Sequence, residues 1–174
     1  MSVNRHFSIP FEGLKDGMHS FDFIVDDSFF SAFEMSPIKS AKIEMHCTLE
    51  KKPKVSNLTL IFNGFYYSSC DRCLENIQIP LTGSHLLHVK VQSRMAGTEE
   101  EDVIFIEEHT ASIDLKQQLY ELICLAMPIQ NVYECENQFP RPCNSEVLKV
   151  LAQYSSDDKI GNVFDTLKNI NFED

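Results

Sequence analysis

The chain has 174 residues, 43% of them hydrophobic, with thirteen Phe, five Tyr, no Trp and only six Gly, which fits one globular domain over 1–174 and excludes a disordered or low-complexity chain. The formal net charge of −11 is unevenly placed: residues 1–95 carry ten Lys/Arg against ten Asp/Glu, and residues 96–174 carry five against sixteen. A phosphate backbone is held by Lys and Arg, so the acidic half disfavours broad wrapping of nucleic acid.

In chain order, residues 1–110 read as β-rich. Phe21, Phe23 and Val25 alternate after a Lys15-Asp16-Gly17 turn, and Ala41, Ile43, Met45, Cys47 and Leu49 alternate in turn, the period of a half-buried antiparallel strand. Lys51-Lys52-Pro53-Lys54 breaks the pattern. Leu58, Leu60 and Phe62 resume it towards Cys70, and Ile77 and Ile79, then Leu87, Val89 and Val91, predict further strands. Residues 95–102 form a polar loop tipped by Thr98-Glu99-Glu100-Glu101-Asp102, read as a solvated excursion, and 103–106 add a short strand.

Residues 111–154 read as helical. Asp114 is placed to cap a helix with Gln117 three residues on, and Leu115, Leu119, Leu122 and Ala126 make its apolar stripe before Pro128 ends it. Asn144 or Ser145 caps a second helix to about Tyr154 that buries Val147, Leu148 and Leu151, and after a linker Val163, Leu167 and Ile170 suggest a short third. The expected class is therefore α+β: an antiparallel sheet or partly open barrel in the first two thirds, then two to three helices.

Cys70-Asp71-Arg72-Cys73 is the strongest motif, answered by Cys135 and Cys143 on either side of Phe139-Pro140-Arg141-Pro142. A C-x2-C turn presents two soft thiolates from one knuckle, and a second pair would complete a tetrahedral four-thiolate zinc site. Such a site is closed, leaves no position for water, and staples structure rather than activating a nucleophile. Two readings compete. The cysteines are unpaired thiols, or Cys70 and Cys73 are a redox pair, although the strand-like flanks lack the helix N-terminus that lowers a thiol pKa in thioredoxin-like motifs. Cys47 falls on the apolar side of its strand and reads as core, whereas Cys124 lies opposite the leucine stripe, to face a partner or be covered by a loop.

No amino-terminal stretch has signal-peptide character and no apolar run approaches the ~20 residues of a membrane span, so a cytoplasmic protein is expected. Its reducing surroundings favour metal or redox roles for paired cysteines over a disulfide framework. His85 and His88, three apart in a strand, point to opposite faces. Metalloprotease, nucleophile-elbow, phosphate-loop and dinucleotide glycine patterns are absent, and no enzyme is expected. Lys51, Lys52 and Lys54, with Arg72 and Arg141 beside the cysteines, are the remaining candidates for contact with RNA or a partner.

The order of strand-rich front, Cys70-Asp71-Arg72-Cys73-Leu74-Glu75, acidic loop, and a helix opening at Ile113-Asp114-Leu115 and closing at Leu125-Ala126-Met127-Pro128 resembles the bacterial YceD family of large ribosomal RNA subunit accumulation proteins. That family carries a C-x-R-C-L-E-like knuckle, an acidic stretch and a helix ending like Leu-Ala-Leu-Pro. The tail from Asn162 to Ile170 is similar to a closing helix that bears Trp in related members, though Trp is absent here. The resemblance implies a role in large-subunit ribosomal RNA accumulation and ribosome biogenesis, without a known catalytic activity. It is expected to act by binding a ribosomal protein or assembly factor, with ribosomal RNA as a further candidate partner and no membrane or small-molecule substrate. The acidic half favours a basic protein as first contact. The alternatives are a thiol oxidoreductase or RNA-processing enzyme, or a scaffold that zinc merely stabilises.

Overall fold

In the computed structural model the described residues are 7–92, 101–132, 135, 139 and 142–155. Five strands, β2 (Gly17–Asp26), β3 (Ser40–Lys51), β4 (Val55–Ser69), β5 (Asn76–Gln92) and β6 (Val103–Glu107), form one sheet in the order β2-β3-β4-β5-β6. A two-stranded ribbon pairs β1 (Ser8–Pro10) with β7 (Ser112–Asp114). The helices are α1 (Asp27–Phe30), α2 (Lys116–Leu125) and α3 (Ser145–Ser155). This is the expected α+β architecture, with the sheet open rather than closed into a barrel: no pairing joins β2 to β6 among the described residues.

The chain divides into two units. The first comprises 1–68 with 78–131, and the second 69–77 with 132–174.

Alternation builds the first unit. Antiparallel register aligns Phe23 with Met45 and Met45 with Phe62, so one face carries Phe23, Val25, Ala41, Ile43, Met45, Cys47, Leu49, Leu58, Leu60 and Phe62, all buried. Each large apolar side chain removed from water there contributes roughly 1.5–3 kcal/mol, and slipping the register by one residue would turn the whole set to solvent. At the β3–β4 turn Pro53 stops the ladder. Buried Ser56 is satisfied there, its hydroxyl accepting from the Lys52 N–H at 3.1 Å and donating to the Lys52 carbonyl at 3.2 Å.

The seventeen residues of β5 are one strand, where the sequence read two short ones across Pro80 and Gly83. Both breakers have local reasons. β6 covers only residues 88–92 of β5, so among the described residues Pro80 lies where no second neighbouring strand needs its missing N–H. A Cβ on Gly83 would stand 2.6 Å from two ring carbons of Phe62, so the glycine admits that ring. β6 itself runs parallel to β5, His88 aligning with Val103 and Gln92 with Glu107. Hydrophobic period reports which face is buried and not strand direction, so the sequence does not reveal this parallel pair.

A short helix that the periodicity did not mark follows β2. Asp26 caps α1 by accepting from the Ser28 N–H, and Asp27 accepts from the Ala41 N–H at 2.8 Å. Phe29 and Phe30 enter the core beside Phe7 and Phe23, and Phe33 stacks on Tyr120 at 3.8 Å between centroids. Helix α2 starts at Lys116, whose N–H donates to Asp114 Oδ1 at 2.9 Å; Gln117 reaches forward to Glu121 instead of back to the cap. Its buried line is Leu115, Leu119 and Ile123, with Leu122 half-buried. The stripe thus advances by four residues rather than alternating three and four.

In the second unit Asn144 is the cap of α3, its Oδ1 accepting from the N–H groups of Glu146 and Val147. Val147 and Leu148 are half-buried, but Leu151, expected inside, is 42% exposed. The helix expected at 163–170 and the acidic tip at 98–100 lie outside the described residues.

Candidate cysteine centre

Cys70 to Glu75 close a tight turn. The Cys70 N–H donates to the Glu75 carbonyl at 2.8 Å, the Leu74 N–H donates to the Cys70 carbonyl at 2.9 Å, and Leu74 takes a left-handed φ of 62°. A branched side chain there costs roughly 1–2 kcal/mol and needs local compensation. Both thiols are buried, Cys70 at 3% and Cys73 at 2% exposure, while Asp71, Arg72, Leu74 and Glu75 face water. The turn therefore hides its two soft donors and displays its charges.

Cys135 and Cys143 lie in the same unit, joined to each other as a disulfide with Cα atoms 6.7 Å apart. The four positions singled out in the sequence thus comprise two buried cysteines on one turn that are not disulfide-bonded and one cross-linked pair. No group of three or more His, Cys, Asp or Glu side chains is arranged to hold a metal ion among the described residues. The donor set suits zinc only when Cys135 and Cys143 are reduced, since a disulfide sulfur is not a thiolate ligand.

The other two cysteines are of a different kind. Cys47 is fully buried, and burial, aided by the nearby Asp22 charge, pushes its thiol up to about 12. Cys124 is half-buried, its thiol raised by burial against the opposing hydrogen bond to Tyr120. Through the Phe33–Tyr120 stack the residues after α1 cover this side of α2, so the covering reading applies.

The basic positions separate sharply. Lys51 is committed internally: Nζ donates to the carbonyls of Phe11 and Leu14 at 2.6 and 2.7 Å and lies 4.6 Å from the Phe11 ring centroid. Lys52 pairs with Glu50 at 2.8 Å. Lys54 and Arg72 are exposed, and Arg141 lies outside the described residues.

Every described histidine has a polar partner: His19 with the Lys15 carbonyl, His46 with Asp22, His85 with Asp102, His88 with Asn57 and His109 with Glu12. The His85–Asp102 pair escaped the sequence reading because it depends on the parallel β5–β6 register, which no local spacing reports.

An open sheet with α1 and α2 in the first unit, and a cysteine-bearing turn with α3 in the second, define a small α+β protein. The YceD family model, described as large ribosomal RNA subunit accumulation protein YceD, matches residues 58–171. The chain belongs to that family. The match begins within β4 and takes in the cysteine turn, α2 and α3; β1, β2 and β3 precede it. No curated protein and no solved structure matches the chain. Among the described residues no helix is long and apolar enough to cross a membrane.

Proposed function

We propose that this protein supports accumulation of large-subunit ribosomal RNA in the cytoplasm as a non-catalytic binding factor in ribosome biogenesis. The family match from residue 58 to residue 171 carries the reading. In the reduced state Cys70, Cys73, Cys135 and Cys143 hold a structural zinc ion, which closes the second unit and activates no water. The first contact is a basic ribosomal protein or assembly factor, attracted by the −11 net charge. Of the basic positions singled out in the sequence, Lys54, Lys52 and Arg72 are exposed and are the candidates for any direct phosphate contact.

Deletion of the gene should lower 23S-class ribosomal RNA and mature large subunits on sucrose gradients while small subunits are relatively spared. Normal profiles under conditions where the protein is expressed would refute the role. A second reading has one observation in its favour: a buried Cys70–Cys73 pair outside any disulfide and a Cys135–Cys143 disulfide share one unit, the composition of a thiol–disulfide exchanger. A Cys70→Ser, Cys73→Ser variant that folds, binds its partners and still fails to complement the deletion would favour that reading over zinc.

A further inference from the structure

A groove of about 280 Å³ opens in the first unit between α2 and the end of the sheet where β6 joins β5. Among the described residues its polar lining is His85, Asp102, Gln118 and Glu121, its apolar wall includes Leu122 and Leu125, and no Lys or Arg lines it. Asp102 is held in place by its backbone. It takes a left-handed φ of 60°, its carbonyl accepts from the His88 N–H at 2.7 Å, and its carboxylate pairs with His85 Nε2 at 2.7 Å. A carboxylate has lone pairs for further donors, so this pairing does not exhaust Asp102. Glu121 receives the Gln117 side-chain amide at 2.7 Å and is likewise open to more.

The decisive atom is Gln118 Oε1, which is buried and accepts no hydrogen bond. An amide carbonyl removed from water without a donor is costly, and such an orphan in a groove calls for a donor from outside. The Asp102 and Glu121 carboxylates and this carbonyl thus set acceptors beside an apolar wall whose Leu125 is 85% exposed. That combination suits a cation on a long apolar stem. A guanidinium fits better than an ammonium, because its planar fork serves an amide carbonyl and a carboxylate at once and its methylenes can lie along leucine side chains.

We propose that this groove is an arginine-anchoring subsite, taking one arginine side chain of a basic protein partner. The inference rests on the reading that the partner is a basic protein, and supplies the place where one of its residues is held.

The test uses the full-length protein labelled with ¹⁵N and titrated with N-acetyl-arginine methylamide, with N-acetyl-citrulline methylamide as the uncharged isostere. The arginine probe should give saturable shifts at the Gln118 side-chain amide and at Glu121, Leu122 and Ile104, and the citrulline probe should bind at least about tenfold more weakly. Glu121→Gln, on an exposed position of α2, and Gln118→Met should each weaken the arginine probe about five- to tenfold while the remaining spectrum stays that of the folded protein. If Gln118→Met unfolds, Glu121→Gln decides alone. Equal binding of citrulline, shifts centred elsewhere, or undiminished binding by Glu121→Gln would overturn the subsite. A normal ribosome profile on deletion, with arginine-specific binding intact, would instead refute the ribosomal reading and leave the subsite standing.

Discussion

Replacing Lys51 with methionine separates a folding role from a nucleic-acid role at the basic turn. The ammonium donates to two main-chain carbonyls, of Phe11 and Leu14, and lies over the Phe11 ring. Hydrogen bonds from a charged donor contribute about 1.5–3 kcal/mol each, and a cation over an aromatic face adds about 0.5–1 kcal/mol where partly exposed. Lys51 is only half-buried, so water can replace part of what is lost, and the methionine stem keeps some packing on Phe11. The expected loss is therefore about 2–3 kcal/mol. With a urea slope of roughly 2 kcal/mol per molar, the midpoint should fall by about 1–1.5 M at unchanged slope. Lys54→Ala, which removes an exposed side chain, should leave the midpoint within about 0.3 M. If Lys51→Met shifted stability by less than about 0.5 kcal/mol while lowering RNA affinity and its salt dependence, Lys51 would be a phosphate contact and the assignment made from its two carbonyls would fail.

Three further outcomes are expected. Reduced protein purified with metal should carry one equivalent of zinc by elemental analysis; Cys70→Ser should lower metal content and stability together, Cys47→Ser should leave the metal in place, and metal-free reduced wild type would eliminate the site. Gly83→Ala should cost about 1–3 kcal/mol in urea unfolding because its Cβ meets the Phe62 ring, and in a Phe62→Leu background the same change should cost measurably less; additive effects would show that the ring is not the obstacle. The Cys47 thiol, raised from 9.0 to about 12, stabilises the fold fully below pH 9 and loses that contribution as pH rises from about 9 towards 12, because the unfolded chain ionises first. Native protein at pH 9.5 should accordingly leave Cys47 unmodified by a thiol reagent that labels it in urea, and rapid labelling of the folded protein would contradict its burial.

How far these sites are legible in a bare sequence follows from what each depends on. The sheet core is read directly because one face of β3 is dry: Ala41, Ile43, Met45, Cys47 and Leu49 must alternate with Lys42, Glu44 and His46, and a period of two reports that need. The α3 cap is likewise local, set by Asn144 two and three residues ahead of the N–H groups it satisfies. Lys51 illustrates the opposite case. Three lysines around Pro53 look equivalent in sequence, and only the return of residues 11–14 to the end of β3 commits the first of them internally. His85 and Asp102 are joined by parallel pairing, the α1 aromatics by packing, and Gly83 and Phe62 by cross-strand contact; none of these leaves a periodic trace.

The cysteine unit stands between these cases. C-x2-C spacing and the left-handed turn at Leu74 account for two buried thiols together, but spacing is silent on oxidation state. Cys135 and Cys143 can be one disulfide or two thiolates, and which they are is set by the reduction potential of the pair against its surroundings rather than by their positions in the chain. A redox titration that follows zinc release alongside loss of the two thiols would therefore say more about this protein than any further variant of the four. Release in step with oxidation of Cys135 and Cys143 would make those residues ligands in the reduced state. Retention of zinc through that oxidation would confine the metal to Cys70 and Cys73 with donors from elsewhere.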